Sequence, residues 1–140
     1  MFDNILLAVD GSDNALNAAR YAGDMVRALN SKMLRVVIAY DPIPSYLGEP
    51  NLQNAIDARL GQANAILDAA VQVVGTVPIG VHTELIEGSP AEAIIDVATV
   101  RKVDIIIMGS RGLGRISGAV LGSTSQKVVA HAPCPVLIVR

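Results

Sequence analysis

Apolar residues along this chain follow two alternating patterns. Short apolar-rich runs occupy residues 5–9 (Ile-Leu-Leu-Ala-Val), 33–40, 79–86, 103–108 and 136–139. Between them, apolar positions recur at helical spacing. Leu16, Ala19, Met25, Val26 and Leu29 form one such face; Leu52, Ile56, Leu60, Ala63, Leu67, Ala70 and Val74 form a longer one. A brief apolar run bounded by turn residues fits a strand buried on both faces, and a 3.6-residue period fits a helix with one buried face. The chain therefore reads as strands alternating with helices.

Turn chemistry places the boundaries. The first strand covers residues 5–10 and closes on Asp10-Gly11-Ser12, where Ser12 or Asp13 can cap a helix that ends at Asn30-Ser31. The second strand covers 33–40. Residues 41–50 hold Pro42, Pro44, Gly48 and Pro50, which a helix interior or central strand does not accept, so they form a loop. A helix over 52–74, a turn over 75–78 and a strand over 79–86 follow. Ser89-Pro90 with Glu92 resembles a capping box opening a helix to Lys102. The fourth strand, 103–108, runs into glycines 109, 112, 114, 118 and 122. Ser123-x-x-Gln126 is a second capping-box pattern, opening a helix to about Ala132. Pro133 and Pro135 end it, and a strand over 136–139 follows.

Strands joined through helices give a parallel sheet with helices on both faces, because the crossovers are right-handed. Ligands of such sheets bind beyond the carboxyl ends of the strands, where strand order reverses. Asp10, Tyr40 and Gly109 all fall on that edge. Composition agrees with a compact fold: 51% of the 140 residues are hydrophobic, 17% are charged, and there is one Phe and no Trp. The core is therefore expected from Ile, Leu, Val and Ala. One domain is expected. No leader and no membrane-spanning run is read, and a cytoplasmic location is expected. The single cysteine, Cys134, excludes an internal disulfide and reads as a small hydrophobe. His82 and His131 lack companions at ligand spacing.

Charge is unevenly placed. The formal net charge is −2, yet no acid follows Asp104, whereas Arg111, Arg115, Lys127 and Arg140 do. Overall acidity argues against nucleic-acid binding. The acid-free tail suits a small anion, or is simply a solvated basic face. A strand, a glycine-rich loop and a helix start together describe a phosphate cradle. Glycine lets backbone N–H groups approach a ligand, and a helix start adds unpaired amides and positive partial charge. The P-loop pattern and the G-x-S-x-G elbow are absent. Gly112-Leu-Gly114 begins a dinucleotide fingerprint, but Ser117 stands at its third glycine and the later acid is missing.

What remains is Gly109-x2-Gly112-x9-Gly122-Ser123. This resembles the ATP-binding signature of the universal stress protein family. Ile5-Leu-Leu-Ala-Val-Asp-Gly-Ser12, Glu87-Gly-Ser-Pro90 and His131-Ala-Pro-Cys-Pro-Val-Leu-Ile-Val139 resemble its opening strand, third-strand exit and closing strand. The resemblance covers the whole chain. It implies a Rossmann-like, adenine nucleotide alpha hydrolase-like fold, with strand order 3-2-1-4-5. It implies that Asp10 lies near adenosine and a bound Mg²⁺, and that Ala39 lines the adenine pocket. Met108 and Gly109 would contact the nucleoside, and Gly112, Gly122, Ser123 and Thr124 would hold phosphates. The plainer alternative is that Asp10 only caps the following helix. The resemblance also implies a homodimer through the apolar edge strand Val136–Val139.

Two functions stay open on the sequence. One is an ATP-binding regulatory or stress-response protein with Mg²⁺, a protein partner and at most slow hydrolysis, since no residue evidently positions a water. The other is a nucleotide-independent dimeric interaction module. ATP, AMP and a cyclic nucleotide are not separated.

Overall fold

The structure, a computed structural model, describes residues 1–111 and 121–140. Its elements are β1 (Asn4–Ala8), α1 (Asp13–Leu29), β2 (Met33–Tyr40), α2 (Asn51–Val74), β3 (Val81–Glu87), α3 (Pro90–Val100), β4 (Ile105–Gly109), α4 (Ser123–His131) and β5 (Val136–Val139). A short 3-10 turn, Ser45–Leu47, lies inside the expected loop. The five strands form one sheet in the order β3-β2-β1-β4-β5, as expected, and every pairing is parallel.

Successive strand side chains point to opposite faces, so each strand feeds two cores. Ile5, Leu7, Val36 and Ile107 meet Ala18, Ala22 and Val26 of α1 and Leu67, Ala70 and Val74 of α2. Leu6, Val37, Ile106 and Met108 meet Ile94 and Ala98 of α3 and Val128 of α4. Ile5, Leu6 and Leu7 are fully buried, which explains why β1 carries no polar alternation. Small residues on α1, chiefly alanine, let that helix lie close to the sheet.

Two strands start later than the apolar runs suggest. The α3 terminus absorbs Val103: its N–H reaches Ala98 O at 3.1 Å while Lys102 N–H reaches Thr99 O at 3.3 Å. Lys102 takes the left-handed conformation, at φ 53°. This is a Schellman ending, and the ladder begins only at Ile105. β3 begins at Val81, where it meets Leu34. Neither expected capping box forms. Ser89 makes no side-chain cap bond. Gly122, extended at φ −68°, ψ 164°, is the N-cap of α4, so Ser123 is already helical. Gln126 Nε2 donates instead to Leu121 O at 3.0 Å. Among the described residues no helix is long and apolar enough to cross a membrane.

The crossing of α1 and α2 depends on Gly23 and Arg27. Arg27 Nη1 donates to Val74 O at 2.9 Å and Thr76 O at 3.1 Å, satisfying carbonyls where α2 ends. A Cβ on Gly23 would overlap the Val74 carbonyl oxygen. In a helix interior, alanine ordinarily gains about 0.5–1 kcal/mol over glycine. Here the sign reverses, because the obstacle is backbone. Gly23→Ala is expected to lose about 1–3 kcal/mol, the usual cost of overpacking, read as a lower urea midpoint at unchanged m-value. A midpoint at or above the parent's would show that the helices separate freely.

Candidate functional site

Where β1 and β4 end, a cavity of ≈ 240 Å³ opens. Several elements supply its wall. Ala8, Val9 and Asp10 come from the end of β1, Val37 and Ala39 from β2, Met108 and Gly109 from β4, Pro90 and Ile94 from the start of α3, and Gly122 to Ser125 from the start of α4. Val37, Ala39, Pro90, Ile94 and Met108 supply apolar surface. Asp10 is the one ionisable residue lining the cavity among the described residues.

The turn after β1 is tightly bonded. Asp10 Oδ1 accepts Ser12 N–H at 2.9 Å and Ser12 Oγ–H at 2.6 Å. Ser12 Oγ in turn accepts Ala15 N–H at 3.2 Å, which makes Ser12 the N-cap of α1. Asp10 is therefore not the helix cap. Gly11 supplies the left-handed step of this turn, at φ 88°.

The start of α4 has no such closure. Its N-cap residue is Gly122, which has no side chain to cap it. The Gly122 N–H is taken by Ser110 O at 2.7 Å, and Ser110 N–H by Val139 O at 2.7 Å. Ser125, almost fully buried, donates its hydroxyl to Gly109 O at 2.9 Å and holds the helix against β4. The first-turn amides of Ser123, Thr124 and Ser125 lack intrahelical acceptors, and these three residues line the cavity. The opening thus carries donors and the positive end of a helix dipole.

Seven residues that the sequence singled out line this one cavity: Asp10, Ala39, Met108, Gly109, Gly122, Ser123 and Thr124. Gly112 lies outside the described residues. Sequence reasoning missed Val37, Pro90, Ile94 and Ser125. Pro90 and Ile94 had a usable signal, since a helix opening straight after the carboxyl end of a strand borders the same edge. Gly109 also has a reason independent of any ligand: its Cβ would stand 2.9 Å from Asn14 C and 3.0 Å from Ala15 N. A side chain there would push against the first turn of α1.

The universal stress protein family model matches residues 1–140. A universal stress protein of Thermus aquaticus is 49% identical over 140 residues, covering all of both chains. The solved structure of universal stress protein UspA from Lactobacillus plantarum superposes with a TM-score of 0.86 at 29% identity, over 99% of this chain and 98% of that one. A universal stress protein solved in complex with cAMP gives a TM-score of 0.68 at 29% identity, over 97% and 95%.

Away from the cavity, Cys134 packs at the edge of the α3–α4 core. Burial raises the pKa of its thiol above the ordinary cysteine value, the Asp104 carboxylate raises it further, and a backbone hydrogen bond at Ile106 opposes both. Neutral thiol is thereby favoured, and thiolate is the reactive form. Alkylation of Cys134 by iodoacetamide at pH 8 is expected to run slower than that of an unstructured cysteine peptide, with a pH–rate midpoint above the peptide's. A rate equal to the peptide's would contradict this environment.

Proposed function

We propose that this chain, which belongs to the universal stress protein family, binds an adenine nucleotide in the cavity beside β1 and β4 and acts as a nucleotide-dependent regulatory module. The observation that carries the reading is the start of α4, whose N-cap is a glycine without a capping side chain and whose residues line a cavity that holds one carboxylate among the described residues. Unpaired amides at a helix N-terminus suit phosphate. The apolar wall of Val37, Ala39, Pro90, Ile94 and Met108 suits a purine face. The relative solved with cAMP supports an adenine nucleotide as ligand class.

Each residue takes a role in this reading. Ala39 and Met108 pack on the base, and Gly109 lies at the nucleoside end. Gly122, Ser123 and Thr124 bind the phosphates through backbone and hydroxyl groups, together with Gly112. ATP with Mg²⁺ is the proposed ligand. Magnesium is commonly held by one or two carboxylates together with substrate phosphates. The donor set here fits that arrangement: one carboxylate, Asp10, whose Oδ2 lies outside both bonds of the Ser12 turn. Among the described residues no group of three or more His, Cys, Asp or Glu is assembled for a resident ion, so the cation would arrive with the nucleotide. With no second ionisable group in the described wall to orient a water, hydrolysis would be slow at most. Occupancy would instead alter the surface offered to a protein partner in the cytoplasm.

Assembly follows from β5. Pro135 O accepts Ile106 N–H at 3.0 Å and Val139 O accepts Ser110 N–H at 2.7 Å. Alternate residues of a parallel strand bond to its neighbour, so Val136 and Ile138 turn their amides to the open edge. That edge is apolar and short, and an antiparallel copy about a two-fold axis would continue the sheet. Two readings follow for experiment. Gly122 has φ −68°, which valine adopts without strain, so Gly122→Val is expected to fold normally while its branched side chain obstructs phosphate. Calorimetry should show ATP·Mg²⁺ affinity lowered about tenfold or more, roughly 1.4 kcal/mol; equal affinity, or a parent that binds nothing, would reject nucleotide binding. Ile138→Pro removes an outward amide and spares the β4 ladder. Light scattering should report a dimeric parent and a weakened dimer in the variant, with circular dichroism unchanged; a monomeric parent at micromolar concentration would reject the dimer.

A further inference from the structure

The Ser12 hydroxyl stands at a junction of three segments. It lies 2.6 Å from Asp10 Oδ1, 3.2 Å from Ala15 N and 3.4 Å from Arg111 O. Ser12 is nearly buried. A hydroxyl has one proton to donate. The short contact gives that proton to the carboxylate, while a lone pair accepts from Ala15. The Ser12 amide adds a second bond to the same oxygen, at 2.9 Å. Asp10 Oδ1 is therefore fixed twice by one residue, through a turn that helix α1 holds rigid. Oδ2 takes part in neither bond.

We propose that Ser12 is the positioning residue of this site: it clamps Asp10 by one oxygen and so presents the other to a divalent cation carried by the nucleotide. The proposal rests on the nucleotide reading above. A carboxylate free to rotate would spend entropy on each binding event, and one already fixed does not. Groups that orient a metal ligand commonly change metal affinity by about 10–100-fold when removed. Ser12 itself contacts neither cation nor nucleotide in this proposal.

Capping and clamping can be separated. Glycine is a competent N-cap and accepts φ −77°, ψ 160°, the conformation at position 12, so Ser12→Gly removes the hydroxyl with little change to α1. Threonine keeps the hydroxyl. Its added methyl has room, because Ser12 borders a second cavity of ≈ 200 Å³ with Leu16, Ala65, Ile66 and Ala69.

The first measurement needs no ligand. Three-bond Hα–Hβ couplings of Asp10 should report one rotamer in the parent and in Ser12→Thr, and averaging in Ser12→Gly. The second is the ratio of ATP affinities with and without Mg²⁺ by calorimetry. That ratio should fall about tenfold in Ser12→Gly, with magnesium-free affinity unchanged, and recover in Ser12→Thr. Unchanged couplings and an unchanged ratio in Ser12→Gly overturn the clamp, as does a loss that Ser12→Thr does not restore. A parent that binds no ATP in either buffer overturns the nucleotide reading and the cation role, while the couplings still decide whether Ser12 holds Asp10.

Discussion

The parallel pairing of β1 with β2 on one side and β4 on the other organises everything else in this molecule. From β1 the chain first builds outward through β2 to β3, then crosses to build β4 and β5 on the opposite flank. The connections leave β1 and β4 in divergent directions, and no helix can cover the gap between them at their carboxyl ends. The cavity is a consequence of that topology before any side chain is considered. Side chains then decide its character: Asp10 appears at the first position where β1 has left its two hydrophobic cores.

The wall of the cavity divides into a rigid part and an open part. The rigid part is closed by local bonds: Asp10 to Ser12, Ser12 to Ala15, Ser125 to Gly109. The first and last of these join a strand end to a helix start, and the middle one caps α1, so movement of one element is resisted by its neighbour. The open part is the first turn of α4, as far as the described residues go. Helix starts are usually completed by a Ser, Thr, Asp or Asn at the N-cap, and this one has glycine. A cap from within the chain would compete for the same amides as an anion.

Strand order and helix positions were legible because the apolar-rich runs are short and bounded by turn residues. Five runs with intervening periodic segments leave few right-handed parallel topologies, and the family resemblance selected among them. The ends of elements were less legible. Val103 looks like the start of the strand in composition, yet the α3 terminus takes Val103 into a Schellman bond, with lysine rather than glycine in the left-handed position. The Ser123 pattern misled for a different reason. Serine followed by glutamine three residues later satisfies the rule for a capping box, but the preceding Gly122 takes the extended conformation that an N-cap requires. Within the cavity, Asp10, Ser123 and Thr124 were readable from spacing and resemblance, whereas Ser125 was not. Val37 and Ile94 were not, because an apolar residue facing a cavity has the same signature as one facing the core.

Gly109 illustrates how such a motif can be inherited. Its missing Cβ is demanded by Asn14 and Ala15 of α1 as well as by any ligand. A chain that did not bind the proposed nucleotide would still be selected to keep glycine there, since the packing of β4 beneath α1 would punish its loss. Drift would therefore erase this site unevenly. Positions answerable only to the ligand would vary first, and Gly109 would persist as a relic. In a divergent chain, retention of glycine at this position therefore speaks for the survival of the fold, whether or not the proposed binding survives with it.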